Sequence, residues 1–268
     1  MFAADTICCL PTWKTLRFDV RIFLSLTAFG FALFAAGNGI ATAANIIHPK
    51  GVVELFTSQG CHSCPPADKV IGKLSKTNEI LAISTHVDYW DYLGWKDNFA
   101  SKANTQRQYE YARSLNETQV YTPQAVINGK THLVGSRESG IIETIDRFDR
   151  STQGLVVPIK VKIDNNSLSV AIEDHPKAKN ATLYLMSMKS VKKVKIERGE
   201  NTGKTLSYHN ILQEMQPIGM VKPGGLEMQY PLEELKRSNS DCFAFILQTR
   251  TSGGYPSSIV GAVYLEDL

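Results

Sequence analysis

One stretch constrains this chain more than any other. The apolar run GVVELF (51–56) leads into TSQGCHSCPPAD (57–68), where Cys61 and Cys64 stand three positions apart and Pro65 and Pro66 follow. A short apolar run closed by a Gly/Cys-rich turn predicts a buried strand. Two prolines suit the first turn of a helix, where the missing N–H groups cost nothing. Val70, Ile71 and Leu74 then fall on one face of that helix, which should fade near Lys76-Thr77-Asn78.

Three readings fit the spacing of the cysteines: a redox pair, half of a metal site, and a small staple. A thiol at a helix start meets unpaired N–H groups and the positive end of the helix dipole, and both favour thiolate. The ordinary thiol pKa of about 8.5 can fall by several units in such a place. Cys61, expected nearer the mouth, is then the attacking sulfur, and Cys64, in the first turn, the resolving one. His62, if protonated, would stabilise the thiolate further; the alternative is a solvent-facing ring with no role. Ser63 is expected to cap the helix. The staple is weak, because a disulfide stabilises in proportion to its loop, about 3 kcal/mol for a loop of about 15 residues, and this loop is far shorter. Structural zinc normally takes four ligands, and there is no second C-x-x-C. A copper(I) site made of Cys61, Cys64 and one of His62, His86 or His132 is the surviving metal alternative.

Downstream, ILAISTHVD (80–88) predicts a second strand and 99–116 a helix without breakers. Ala125–Ile127 and Thr131–Val134 read as short strands joined by Asn128-Gly129, a strong hairpin signal. In 138–150, Ile141, Ile142, Ile145 and Phe148 share one helical face. After Gly154 the texture changes to short strand candidates: 156–163, 167–173, 181–188, 191–196, 226–232, 243–249 and 259–265. This predicts a mostly-β, sandwich-like region. Leu206–Met215 is expected to be a short helix or an irregular crossover. Gly199–Gly203 lacks the Lys-Ser/Thr ending of a phosphate loop and reads as a turn. Cys242, before an apolar strand, is expected to be a buried free thiol.

The N-terminus reads differently. Lys14, Arg17 and Arg21 precede an apolar run from Ile22 to Ala36, and Ala41-Thr42-Ala43 follows. That is the pattern of a cleaved secretory leader over 1–43. The apolar run falls short of the roughly 20 residues a membrane span needs, so no stable span is expected after cleavage. Export implies a bacterial periplasm or exterior, where disulfides persist. The net charge is +3 with basic residues scattered, the densest group being Lys189, Lys192, Lys193 and Lys195, so nothing points to nucleic acid.

GVVELFTSQGCHSC together with the distant VYTPQAVING resembles the thioredoxin-like superfamily, in which C-x-x-C follows the first core strand and a cis-proline precedes the next hairpin. ELFTSQGCHSCPPAD, HVDYWDYLGWKD and YTPQAVINGK are similar, more narrowly, to a family of secreted bacterial thioredoxin-like proteins defined as a domain of unknown function. The resemblance implies an α/β thioredoxin-like domain over 44–153, followed by the β-rich region over 154–268. It implies a cis bond at Pro123, facing the cysteines, with the Thr122 backbone left to pair with a substrate strand. There is no Trp before Cys61 and no Pro between the cysteines, which leaves the direction of exchange open.

The residues of HVDYWDYLGWKD should lie at the carboxyl edge of the second strand, beside the first. His86, Asp88 and Trp90 could therefore border Cys61, with Asp88 or Asp91 pairing His86. The aromatic residues could line a groove, and the alternative is a mini-core that holds a loop. The expected function is that of an exported thiol–disulfide oxidoreductase needing no cofactor beyond the Cys61–Cys64 disulfide. Its partners would be protein or small-molecule thiols and disulfides, with a redox partner protein. The alternatives are a copper(I)-binding, metallochaperone-like protein using the same cysteines, or a non-catalytic interaction module.

Overall fold

The computed structural model describes residues 45–164, 166–266 and 268. The leader expected over 1–43 lies outside the described residues. The first half of the chain runs β1 (Asn45–Ile47), β2 (Gly51–Thr57), α1 (Pro65–Leu74), β3 (Ile80–His86), α2 (Lys102–Ser114), β4 (Gln124–Ile127), β5 (Thr131–Val134) and α3 (Glu138–Asp149). The second half runs β6 (Lys160–Asp164), β7 (Ser167–Ile172), β8 (Thr182–Lys195), β9 (Thr205–Met220), β10 (Leu226–Pro231), α4 (Leu232–Arg237), β11 (Cys242–Arg250) and β12 (Pro256–Glu266). Among the described residues this is a mixed, sheet-rich α/β fold of twelve strands and four α-helices. No helix among them is long and apolar enough to cross a membrane.

One mixed sheet of nine strands has the order β1-β12-β11-β8-β9-β3-β2-β4-β5, and a three-stranded sheet has the order β10-β7-β6. The larger sheet runs unbroken across the change of texture at Gly154, because β9 pairs in parallel with β3 at Ile211 and Ser84. The smaller sheet packs on the later strands of the larger one, with Leu168, Val170 and Ile172 against Leu183, Leu185, Phe245 and Val263.

Strand β2 is buried along its whole length, as expected for a strand covered on both faces. Val53 and Leu55 pack against Val70, Ile71 and Leu74 of α1 and Ile141 and Ile145 of α3. On the opposite face Phe56 packs edge-on against Tyr111 of α2, with ring centroids 6.1 Å apart. The Asn128-Gly129 hairpin forms as its sequence predicts, with positive φ at both residues, 48° and 64°. A Cβ at Gly129 would stand 2.1 Å from the Ser257 carbonyl oxygen, so a side chain is excluded there as well.

Three expectations are corrected. Residues 181–188 and 191–196 form one continuous strand, β8, rather than two. Residues 232–237, partly assigned to a strand, form α4. Leu206–Met215 is no helix but the middle of the long strand β9. The cause is Asn210, whose φ of 45° breaks the extended backbone. Burial alternates through Leu206, Tyr208 and Asn210 and then continues at Ile211 and Leu212. That slip turns a period of two into a false helical period. Asn210 holds the slip in place by donating to the Ala82 carbonyl at 3.0 Å and accepting from the Tyr264 hydroxyl at 3.3 Å.

The fully buried Glu54 of β2 would be costly without a partner. Arg107 of α2 meets it with two parallel bonds, Nε to Oε2 at 2.6 Å and Nη2 to Oε1 at 2.9 Å. The same guanidinium donates to Gln248 of β11 at 3.0 Å, so the pair joins a helix to both halves of the large sheet. Burial works against the charge on Arg107, but the Glu54 carboxylate overcomes it and raises the pKa. Glu54→Ala leaves that cation unpaired, and urea unfolding is expected to show a loss of about 3–5 kcal/mol. Adding Arg107→Met should recover a large part; equal losses in the single and double variants would show that the pair is not what β2 depends on.

Candidate functional site

β2 delivers the segment Ser58–Cys61 to the carboxyl edge of the parallel pair β2/β3, and α1 leads away from it. Cys61 and Cys64 form a disulfide with Cα atoms 5.4 Å apart. Cys64 is the N-cap of α1 and Pro65 follows it inside the first turn, as the prolines predict. Ser63 does not cap the helix: no side chain does. Its hydroxyl turns toward the site, 3.5 Å from the Cys61 sulfur, and donates to the Thr122 carbonyl at 3.4 Å. His62 is exposed. The expected difference in exposure between the two cysteines is absent, since they are 1% and 0% exposed. Their hydrogen-bonding surroundings distinguish them instead.

The Thr122–Pro123 peptide is cis, and the Thr122 hydroxyl donates to the Cys61 sulfur at 3.2 Å. Trp90 is brought to the same place, its indole N–H donating to Thr122 Oγ1 at 2.8 Å. Trp90 stacks on Tyr92, centroids 6.4 Å apart and planes 18° from parallel. The outer ring, Tyr92, is 76% exposed. A Cβ at Gly60 would lie 3.2 Å from the Trp90 carbonyl oxygen, so the loop before Cys61 approaches Trp90 closely through a glycine.

His86 is fully buried, and its partner is neither Asp88 nor Asp91 but Asp97, with Nδ1 to Oδ2 at 2.7 Å. Asp88 is taken by Thr105, whose hydroxyl donates to Asp88 Oδ1 at 2.6 Å. Asp91 accepts from the Asp97 N–H at 3.0 Å. Asp97 also accepts from the backbone N–H of Gln59 at 2.8 Å and of Phe99 at 2.9 Å. Burial pushes the Asp97 carboxyl up, but the facing His86 ring and these N–H groups outweigh it and hold the pKa below the usual value.

Two functional residues escaped the sequence reading. The first is Asn201, in the turn between β8 and β9. Its buried side-chain amide donates to the carbonyls of Gln59 and Cys61, both at 2.9 Å. Lys204 fixes its oxygen at 2.8 Å. A turn rich in Gly, Asn and Thr carries no mark of such a role. The second is Asp68, one turn beyond Cys64 on α1 and 3% exposed. Thr57 donates to its Oδ1 at 2.7 Å, while Oδ2 has no partner. Burial drives its pKa up to about 7, against a smaller opposing pull from His86. The sequence signal available was an acid placed on the apolar side of an amphipathic helix.

Cys242 is a free, buried thiol, as expected, and burial pushes its pKa up to about 12, which makes it a poor nucleophile near neutral pH. His132 accepts or donates to the Tyr121 hydroxyl at 2.9 Å and faces Glu117 at 3.2 Å. Among the described residues no group of three or more His, Cys, Asp or Glu side chains is placed to hold a metal ion.

These features define a mixed α/β protein carrying a buried two-cysteine bridge at the start of its first long helix. The chain belongs to the DUF1223 family of proteins of unknown function, which matches residues 52–248. It is similar to the crystal structure of protein AGR_C_4864 from Agrobacterium tumefaciens, with 38% identity, a TM-score of 0.74, and coverage of 82% of this chain and 96% of that one. It is also similar to HBP35 of Porphyromonas gingivalis, with 12% identity, a TM-score of 0.56, and coverage of 83% of this chain and 76% of that one, a likeness of fold alone. No curated protein matches the chain.

Asp68 makes stability depend on pH. Its folded pKa, about 7, lies above its ordinary 3.8, so between these values the folded chain holds a proton that the unfolded chain has released. Its contribution to stability therefore falls as pH rises through that window. Asp68→Asn removes this cost and is expected to raise stability at about pH 8 by on the order of a few kcal/mol, with little change at about pH 4. Urea unfolding at the two pH values checks this; a variant whose stability keeps the wild-type slope shows that Asp68 is not the titrating group.

Proposed function

We propose that this protein is a thiol–disulfide oxidoreductase of thioredoxin-like fold, exported by the leader expected at its N-terminus and active in an oxidising compartment on protein or small thiols and disulfides. The observation that carries the reading is the Thr122 hydroxyl donating to the Cys61 sulfur at 3.2 Å. A donor on one sulfur favours its thiolate and gives the two cysteines different chemistry. A bridge kept only for stability gains little from a separation of three positions.

In the reducing direction, the Cys61 thiolate attacks one sulfur of a partner disulfide. That disulfide breaks, its far sulfur leaves as a thiolate and takes up a proton, and a mixed disulfide joins Cys61 to the partner. Cys64 loses its proton and attacks the Cys61 sulfur, which releases the second partner thiol. The protein dithiol is oxidised and one partner disulfide becomes two thiols. In the oxidising direction each step runs backwards. Cys61 and Cys64 are the catalytic residues, and the backbone at Thr122 and Pro123 lines the side from which a partner chain approaches. His62 is open to solvent beside the bridge and modulates it at most through its charge.

The test is reduction of a protein disulfide, insulin, with dithiothreitol as the electron source. Cys61→Ser is expected to bring the rate down to the uncatalysed background. Cys64→Ser is expected to accumulate a mixed disulfide at Cys61, seen by mass spectrometry under non-reducing conditions. Wild-type rates in Cys61→Ser would sink the assignment.

A further inference from the structure

Trp90, Thr122 and Cys61 form a chain of hydrogen bonds whose direction is fixed by chemistry. An indole N–H can only donate. Trp90 donates to Thr122 Oγ1 at 2.8 Å, so that oxygen must act as acceptor on this side. A hydroxyl carries one proton; the Tyr89 phenol also lies beside Thr122 but gives its own proton to Gln108 at 3.1 Å, and the acceptor that the Thr122 hydroxyl meets in hydrogen-bond geometry is the Cys61 sulfur at 3.2 Å. Thr122 therefore cannot turn its proton toward Trp90, and the indole holds it on the sulfur. Ser63 lies farther from that sulfur, at 3.5 Å, and its one proton also faces the Thr122 carbonyl at 3.4 Å, so Thr122 is the nearer donor. The indole is itself held in place. Gly60 lets the loop before Cys61 approach its backbone, and Tyr92 stacks on its outer side.

We propose that Trp90 is a positioning residue for the disulfide: acting through Thr122, it sets the acidity of Cys61 in the reduced protein and so the oxidising strength of the pair. When the bridge opens, the Thr122 proton faces the Cys61 thiolate. A donated hydrogen bond favours the charged form of the acceptor. A second donor behind the first polarises it further. Stabilising the thiolate stabilises the reduced protein, which makes the disulfide the stronger oxidant. Its bearing on turnover rests on the redox reading above, but the acidity of Cys61 can be measured whatever the protein reacts with.

The experiment is a double-mutant cycle on the dithiothreitol-reduced full chain, with the pH profile of Cys61 alkylation by iodoacetamide followed by peptide mass spectrometry. Thr122→Val is expected to lower the alkylation rate near neutral pH by about tenfold, through loss of a hydrogen bond to a charged group. Trp90→Phe keeps the ring and loses the N–H, and a drop of about threefold is expected, roughly half a pKa unit. In the Thr122→Val background Trp90→Phe should have no further effect, whereas in Thr122→Ser, which keeps the hydroxyl, it should act as in wild type. The same Trp90→Phe effect in both the Val and Ser backgrounds, or none in the wild-type background, would overturn the proposal. A protein inert towards insulin but with this coupling intact would overturn the redox reading and leave the coupling standing.

Discussion

One buried carboxylate holds the chain on both sides of the disulfide. Asp97 receives the His86 ring from the end of β3, the Gln59 N–H from the loop before Cys61, and the Phe99 N–H from its own turn. Because those donors keep it below the usual carboxylate range in spite of its burial, it is ionised near neutral pH and accepts from all sides. Charge-assisted bonds of this kind are roughly twice as strong as neutral ones. Without it the loop that presents Cys61 would have a free N–H in a buried place, and the His86 ring would lose its partner. The position of the sulfur therefore depends on a residue far from it in sequence.

The loop is held from a third direction by the second half of the chain. β8 and β9 are long enough for the turn between them to reach the loop before Cys61, where Asn201 grips the Gln59 and Cys61 carbonyls. Trp95 completes the clamp by donating to the Gln59 side chain at 2.8 Å. The β-rich half is thus part of the wall of the site. Bonds to backbone carbonyls position a loop without using any side chain of the loop itself, so residues 58–60 can stay small or polar while remaining fixed.

The legible parts of the sequence were those fixed by neighbours along the chain. GVVELF, the C-x-x-C spacing, the two prolines and Asn128-Gly129 each specify a local backbone shape, and each stands where expected. The illegible parts were decided by contacts across the fold. Asp88 is close to His86 in sequence, but α2 supplies Thr105 to occupy it, and the returning loop supplies Asp97. β9 hid behind the slip at Asn210, which only a partner on each side makes tolerable. Asn201 acts from a turn whose composition says nothing of what it touches. Trp90 was visible as an aromatic near the site. Its bond to Thr122 could not be read, because it depends on how the chain after β3 folds back over the loop.

On the redox reading, these surroundings push the two sulfurs apart in acidity. Cys61 receives a hydroxyl proton from Thr122, so its thiolate meets a donor. Cys64 is fully buried at the N-cap, where the helix dipole favours a thiolate, but Asp68 lies one turn along the same helix with an oxygen that has no donor. A second negative charge near that carboxylate would add to a desolvation cost that already holds its pKa at about 7. Keeping Cys64 as the thiol is therefore the cheaper distribution of charge. The attacking role then falls to Cys61 through the partners of its sulfur rather than through exposure, which the two cysteines do not differ in.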